Sequence, residues 1–227
     1  MTPTDALFRE IKARAVGEKR FLVAVAGPPG SGKSTLAENL VARLGPSAAV
    51  VPMDGFHLDN DKLQKMGLLE RKGAPETFDA EGFVSLIRTL RSKLDVTFPT
   101  FDRESDITIP CGGHIDKGTS IVVIEGSFLL LKTPTWSELA ELFDLKVQLE
   151  VARKELEARL VKRWLDHGFP VAEARARALG NDMRNVDFVT NYSLAPDFSI
   201  RPEKLNSRDV GVVPGHDQHS RNESYPA

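Results

Sequence analysis

Residues Phe21 to Thr35 read FLVAVAGPPGSGKST. The first six, Phe21 to Ala26, are apolar without interruption and stop at a glycine, the pattern of a strand buried on both faces of a parallel sheet. Gly27 to Thr35 then fit G-x-x-x-x-G-K-[ST], and Ser34 to Leu44 read as a helix stopped by Gly45-Pro46. Strand, glycine loop and helix in this order make a cradle for phosphate. Gly27, Gly30 and Gly32 permit backbone turns closed to other residues and aim successive N–H groups inward. The helix start near Lys33 adds its positive dipole end. The loop residues Gly27, Pro28, Pro29, Gly30, Ser31, Gly32, Lys33, Ser34 and Thr35 are therefore assigned to a nucleoside triphosphate. Lys33 is placed on its β- and γ-phosphates and the Ser34 hydroxyl on Mg²⁺. Such a loop specifies a nucleotide and leaves the reaction open.

Outward from this segment, strands and helices alternate. AAVVPM (Ala48 to Met53) reads as a second strand, and Asp79 to Leu94 as a helix with Phe83, Leu86, Ile87 and Leu90 on one face. IVVIE (Ile121 to Glu125) is another fully buried strand. A helix over about Thr135 to Phe143 precedes the strand DLKVQLEV; Val151 to His167 is a long helix ending at Gly168, and Ala172 to Leu179 opens another. PDFSI offers a last strand, and Leu7, Ile11 and Ala15 mark a short amphipathic helix near the start. Wholly apolar strands alternating with helices predict an α/β fold, a parallel sheet covered on both faces. Asp59 to Pro75 and Val96 to Gly118 read as insertions at the sheet edge, where sites are built. One domain over residues 1–205 is expected, with insertions at about 55–78, 96–118 and 151–185. Residues 206–227, poor in large apolar side chains, read as a mobile tail.

Asp54 ends the second strand and is followed by a glycine. On a parallel sheet it shares a rim with the phosphate loop, where a carboxylate faces the γ-phosphate. One reading makes it the general base toward an acceptor hydroxyl. The other makes it the cap of an Asp-Gly turn.

Composition excludes several partners. Thirty Lys and Arg against thirty-two Asp and Glu leave a net charge of -2, which argues against nucleic acid or an anionic membrane as the main partner. A single cysteine, Cys111, rules out an intrachain disulfide and suits a reducing cytoplasm. The longest nearly apolar run, IVVIEGSFLLL, is interrupted by Glu125 and too short to span a bilayer. A soluble cytoplasmic protein is the expectation.

MDGFHLDN, RKGAPETFD (Arg71 to Asp79), FPTFDRESD and IEGSFLLL together resemble the P-loop kinases of the uridine kinase, phosphoribulokinase and pantothenate kinase superfamily, from about Phe21 to Ile200. RWLDHG and GND bring the chain nearest to a bacterial group labelled fructose transport system kinase or nucleoside kinase-like. The resemblance implies a five-stranded sheet ordered 2-3-1-4-5, a helical lid, ATP with Mg²⁺, and a small hydroxyl-bearing acceptor: a sugar such as fructose, a nucleoside or pantothenate. It implies Asp54 as catalytic aspartate and Glu125 as the acid that holds Mg²⁺ through water. The family's Asn-Tyr after the glycine is replaced here by Ser127-Phe128, which removes a phenol hydroxyl. His57, Arg71, Asp102 and Arg103 become acceptor-site candidates with Lys72, against the alternative that the cations are solvated and Asp102 pairs with Arg103. Arg159 and Arg163, at i, i+4, resemble a lid that closes over the γ-phosphate; the alternative is a surface helix paired to Glu155 and Glu157. Asn181 and Asp182 are placed on the adenine side. A homodimer is the commonest assembly for such enzymes. The competing class is a P-loop ATPase driving a protein partner. It leaves Asp54 without a task, and neither N-K-x-D nor a strand-ending Asp-Glu pair is present.

Overall fold

A computed structural model describes residues 2–201; the expected tail at 206–227 lies outside the described residues. Five parallel strands form the central sheet: β1 (Phe21–Ala26), β2 (Ala48–Pro52), β5 (Ile121–Gly126), β6 (Leu145–Leu149) and β7 (Phe198–Ile200). Their spatial order is β2-β5-β1-β6-β7. Two intervening strands, β3 (Val96–Asp102) and β4 (Ile107–Ile115), form a separate antiparallel ribbon. With that ribbon left out of the count, the sheet reads second-third-first-fourth-fifth.

The uninterrupted apolar run of β1 is explained by two cores, one on each face. Leu22, Ala24 and Ala26 face a cluster containing Phe83, Ile87 and Leu90 of α4 (Ala80–Ser92), which follows the short α3 (Asn60–Lys65) in the chain. Phe21, Val23 and Val25 face Leu7 and Ile11 of α1 (Pro3–Arg14) and Leu36 and Leu40 of α2 (Lys33–Leu44). Each fully buried Leu or Phe contributes about 1.5–3 kcal/mol to this packing. Arg20, 4% exposed, sits at the strand's entry. Its guanidinium donates to the carbonyls of Leu90, Lys93, Leu94, Asp116 and Thr119, tying the end of α4 and the start of β3 to the sheet. Burial pulls its pKa below the usual arginine value.

Three expectations change. The helix at Thr135–Phe143 is a 3₁₀ turn, Trp136–Glu141; Thr135 takes φ +67, which breaks regular helix, and Trp136 is drawn into the core. The insertion at Val96–Gly118 is mostly the β3–β4 ribbon. Gly112 and Gly113 lie against Thr100 and the Phe98 ring across it, and a side chain at either would collide. The helix opening near Ala172 continues: α6 (Val171–Arg177) passes through a π-helical turn, Ala178–Asp182, into α7 (Met183–Tyr192). No helix among the described residues is long and apolar enough to cross a membrane.

Candidate active site

The glycine loop joins β1 to α2 as its sequence requires. Gly30 and Gly32 take φ +78 and +91, a region costly for any residue with a Cβ. At Gly27 a Cβ would stand 2.6 Å from Ser31 Oγ. That hydroxyl is buried and has no hydrogen-bond partner among the described residues. Helix α2 starts at Lys33 without a side-chain cap on its first turn. A narrow cradle, an orphaned hydroxyl and an uncapped helix start suit the phosphates of a nucleotide.

Beside the loop, the carboxyl ends of three strands lie in register, with Glu125 opposite both Pro52 and Val25. Glu125 is 4% exposed and accepts a hydrogen bond from Ser34 Oγ at 3.1 Å. Burial pushes its carboxyl pKa up; Lys33 opposes that shift and the nearby Asp54 charge adds to it. A hydroxyl and a buried carboxylate side by side form an oxygen donor set suited to Mg²⁺, which keeps waters of its own.

Asp54 falls in a 3₁₀ turn, Met53–Phe56, directly after β2. Arg103, at the ribbon tip, donates to Asp54 Oδ2 at 2.8 Å. Two glycines make this approach possible. A Cβ on Gly55 would lie 1.9 Å from the Pro99 carbonyl oxygen, and one on Gly126 would lie 2.6 Å from Met53 Cβ. The Asp54 carbonyl accepts from the His57 backbone N–H and lies 2.8 Å from His57 Nδ1. A carbonyl can only accept, so Nδ1 carries the proton and Nε2 of the neutral ring is left as an acceptor. The imidazole sits against Phe78 and Phe101, with ring centroids at 4.1 and 4.6 Å, and burial holds its pKa below the usual histidine value.

The sequence candidates therefore divide. Lys33, Ser34, Asp54, His57, Arg103 and Glu125 gather around one rim. Asp102 does not pair with Arg103; its carboxylate accepts from Glu104 and Ser105 N–H and from Ser105 Oγ, closing its own turn. Arg71 donates to Asn181 Oδ1 at 2.7 Å and lies 3.3 Å from Glu76. Lys72 is held by Asn60 and Asp106 and lies over the Phe101 ring. On α5 (Arg153–Asp166), Arg159 donates to the Gly30 and Ser31 carbonyls at 3.1 and 3.3 Å and to Glu155. Arg163 turns to Asp182, which also accepts from the Trp164 indole N–H. Asn181 donates to the Lys72 carbonyl. Phe128 is 1% exposed and packs edge-on against Phe78 and Trp136.

The sequence reading missed Asp106, Asn60 and Asn185, which hold the Lys72–Gly73 segment; Asn185 donates to the Gly73 carbonyl. Each acts across a long sequence separation, and only the polarity of the insertion hinted at them.

Comparison with known proteins bears on the family and the fold. The sequence profile of the Phosphoribulokinase / Uridine kinase family matches residues 22–166. A candidate uridine kinase of Schizosaccharomyces pombe is 33% identical over 222 residues, covering 90% of this chain and 94% of that one. A pantothenate kinase of Rhodococcus erythropolis is 30% identical over 165 residues, 67% of this chain and 53% of the relative. The crystal structure of a candidate fructose transport system kinase from Silicibacter sp. TM1040 superposes with a TM-score of 0.84 at 45% identity. It spans 88% of this chain and 99% of its own.

Proposed function

The chain belongs to the Phosphoribulokinase / Uridine kinase family, phosphotransferases that act on hydroxyl groups, and from that premise we propose that it moves the γ-phosphate of ATP to a hydroxyl of a small metabolite. The observation that carries this reading is the meeting, at one rim, of the glycine loop, the Ser34–Glu125 pair and Asp54.

Loop N–H groups and Lys33 bind and orient the β- and γ-phosphates. Ser34 and Glu125 would hold Mg²⁺, which would supply positive charge against the phosphate oxygens. Asp54 accepts the proton of the acceptor hydroxyl as its oxygen bonds to the γ-phosphorus. The bond from that phosphorus to the bridging oxygen breaks, and ADP leaves with the electron pair. His57 Nε2 accepts a hydrogen bond from a neighbouring hydroxyl and positions the acceptor. Arg103 must yield Asp54 Oδ2 when the acceptor arrives, and the exposure of its side chain, 69%, makes that release cheap. Arg159, resting on the loop carbonyls, and Arg163, on the same helix, supply positive charge as α5 settles over the nucleotide.

Fructose and other sugars, nucleosides, and pantothenate-like acids are the acceptor classes to try, since relatives carry kinase names for each. The test is ADP release from Mg-ATP by the full chain with and without each compound, beside Lys33→Ala. Strong stimulation by one class that Lys33→Ala abolishes supports the reading. Slow ADP release that no hydroxyl compound stimulates opposes it.

A further inference from the structure

A cavity of about 610 Å³ opens between the Pro75–Thr77 turn, the Thr133–Trp136 segment and α7. None of Lys33, Ser34, Asp54, Arg103 or Glu125 lines it. Between it and the Asp54 backbone carbonyl stand two tilted rings in contact, Phe78 in the cavity wall and His57 behind it. Its volume lies within the range of small-molecule pockets, about 300–1,000 Å³.

The lining has a definite chemistry. Phe78, Trp136 and Phe188 supply flat apolar surface, and Arg71 and Arg184 supply two cations against one acid, Glu76. Arg71 is engaged with Asn181 and Glu76. Arg184 is exposed and has no hydrogen bond or ion pair among the described residues. Aromatic walls with an unneutralised guanidinium match a ligand with a flat apolar body and one anionic end.

We propose that this cavity is a second ligand site, separate from the phosphoryl-transfer centre, for a small aromatic molecule bearing one carboxylate or phosphate that faces Arg184. Its walls also belong to the lid. Arg71 and the Lys72 carbonyl bind Asn181 in the π-helical turn, and Asn185 of α7 binds the Gly73 carbonyl. An occupant therefore stiffens the junction between the 71–76 segment and α7.

The experiment titrates the full chain with 3-phenylpropanoate and phenyl phosphate, and with neutral 3-phenylpropanamide, followed by saturation-transfer NMR at fixed ionic strength. At least one anion should bind saturably, about two- to fivefold tighter than the amide, as expected for one partly exposed charge pair. Arg184→Ala should erase that preference and Arg184→Lys retain most of it. Lys33→Ala should bind as the parent does, because the phosphate loop is not part of the site. Absence of saturable binding, an amide that binds as tightly, a preference that survives Arg184→Ala, or loss of binding in Lys33→Ala would each overturn the proposal. A failure here leaves the kinase reading untouched, since no turnover is measured.

Discussion

Asp54→Asn separates the chemical role of this side chain from its structural one. The substitution keeps shape and removes charge. Its structural cost is bounded by the ion pair with Arg103, whose own side chain is 69% exposed, so less than about 1 kcal/mol is lost. For a chain of this length that is a fall in Tm of no more than about 4 °C. The His57 contact uses the Asp54 backbone carbonyl and survives the change. Nucleotide affinity should hold within about threefold, because Lys33, Ser34 and the loop are unaltered. Loss of a general base costs about 10² to 10⁴ in turnover, equivalent to about 2.7–5.4 kcal/mol of barrier. The chemical effect should thus exceed the structural one severalfold. Steady-state turnover with the identified acceptor, ATP titration and thermal melting read the three quantities side by side. Turnover within about threefold of the parent would refute the base assignment. A collapse of Tm to match the lost activity would show instead that the carboxylate is a structural cap.

Three further outcomes test other parts of the structure. Gly30→Ala places a Cβ at φ +78 and 3.3 Å from Leu160 Cγ, so ATP affinity should fall by about tenfold, the equivalent of 1–2 kcal/mol of backbone strain; unchanged affinity in an ATP titration would contradict the loop geometry. Glu125 has a folded-state pKa above its unfolded one, so its contribution to stability is greatest below the ordinary carboxyl range and is lost as pH rises through the folded value. Glu125→Gln should therefore raise Tm near pH 8, with the gain shrinking toward pH 4, while Mg²⁺-dependent turnover drops; a gain that grows in acid would have the wrong sign. Arg20→Met fills the volume but strips five carbonyls of their donor and should cost about 3 kcal/mol or more, read from the urea midpoint; an unchanged midpoint would mean water replaces the guanidinium.

The legible parts of the sequence were those in which local chemistry and tertiary role coincide. Phe21 to Ala26 is apolar because both faces of β1 are covered, and Gly30 and Gly32 are glycine because φ is positive there. Asp54 and Glu125 stood out as acids that terminate apolar strands, and the fold brings both to the loop. The ribbon was not legible, because its outer strand is largely exposed and its glycines serve cross-strand packing rather than a turn. Nor was the choice of partner: Asp102 and Arg103 are neighbours in sequence, yet the turn captures Asp102 and the ribbon's direction sends Arg103 to a carboxylate 49 positions away. The partners of Asn181 were not legible either: it lies within the π-helical turn, and its bonds to Arg71 and the Lys72 carbonyl span more than a hundred positions.

What remains is to account for the phosphate itself. With Mg-ATP and the stimulating hydroxyl compound present, ADP and free inorganic phosphate should be measured in one reaction. Transfer across the Asp54 rim predicts ADP matched by phosphorylated acceptor, with little free phosphate. ADP matched mole for mole by free phosphate, with the acceptor recovered unchanged, would contradict it.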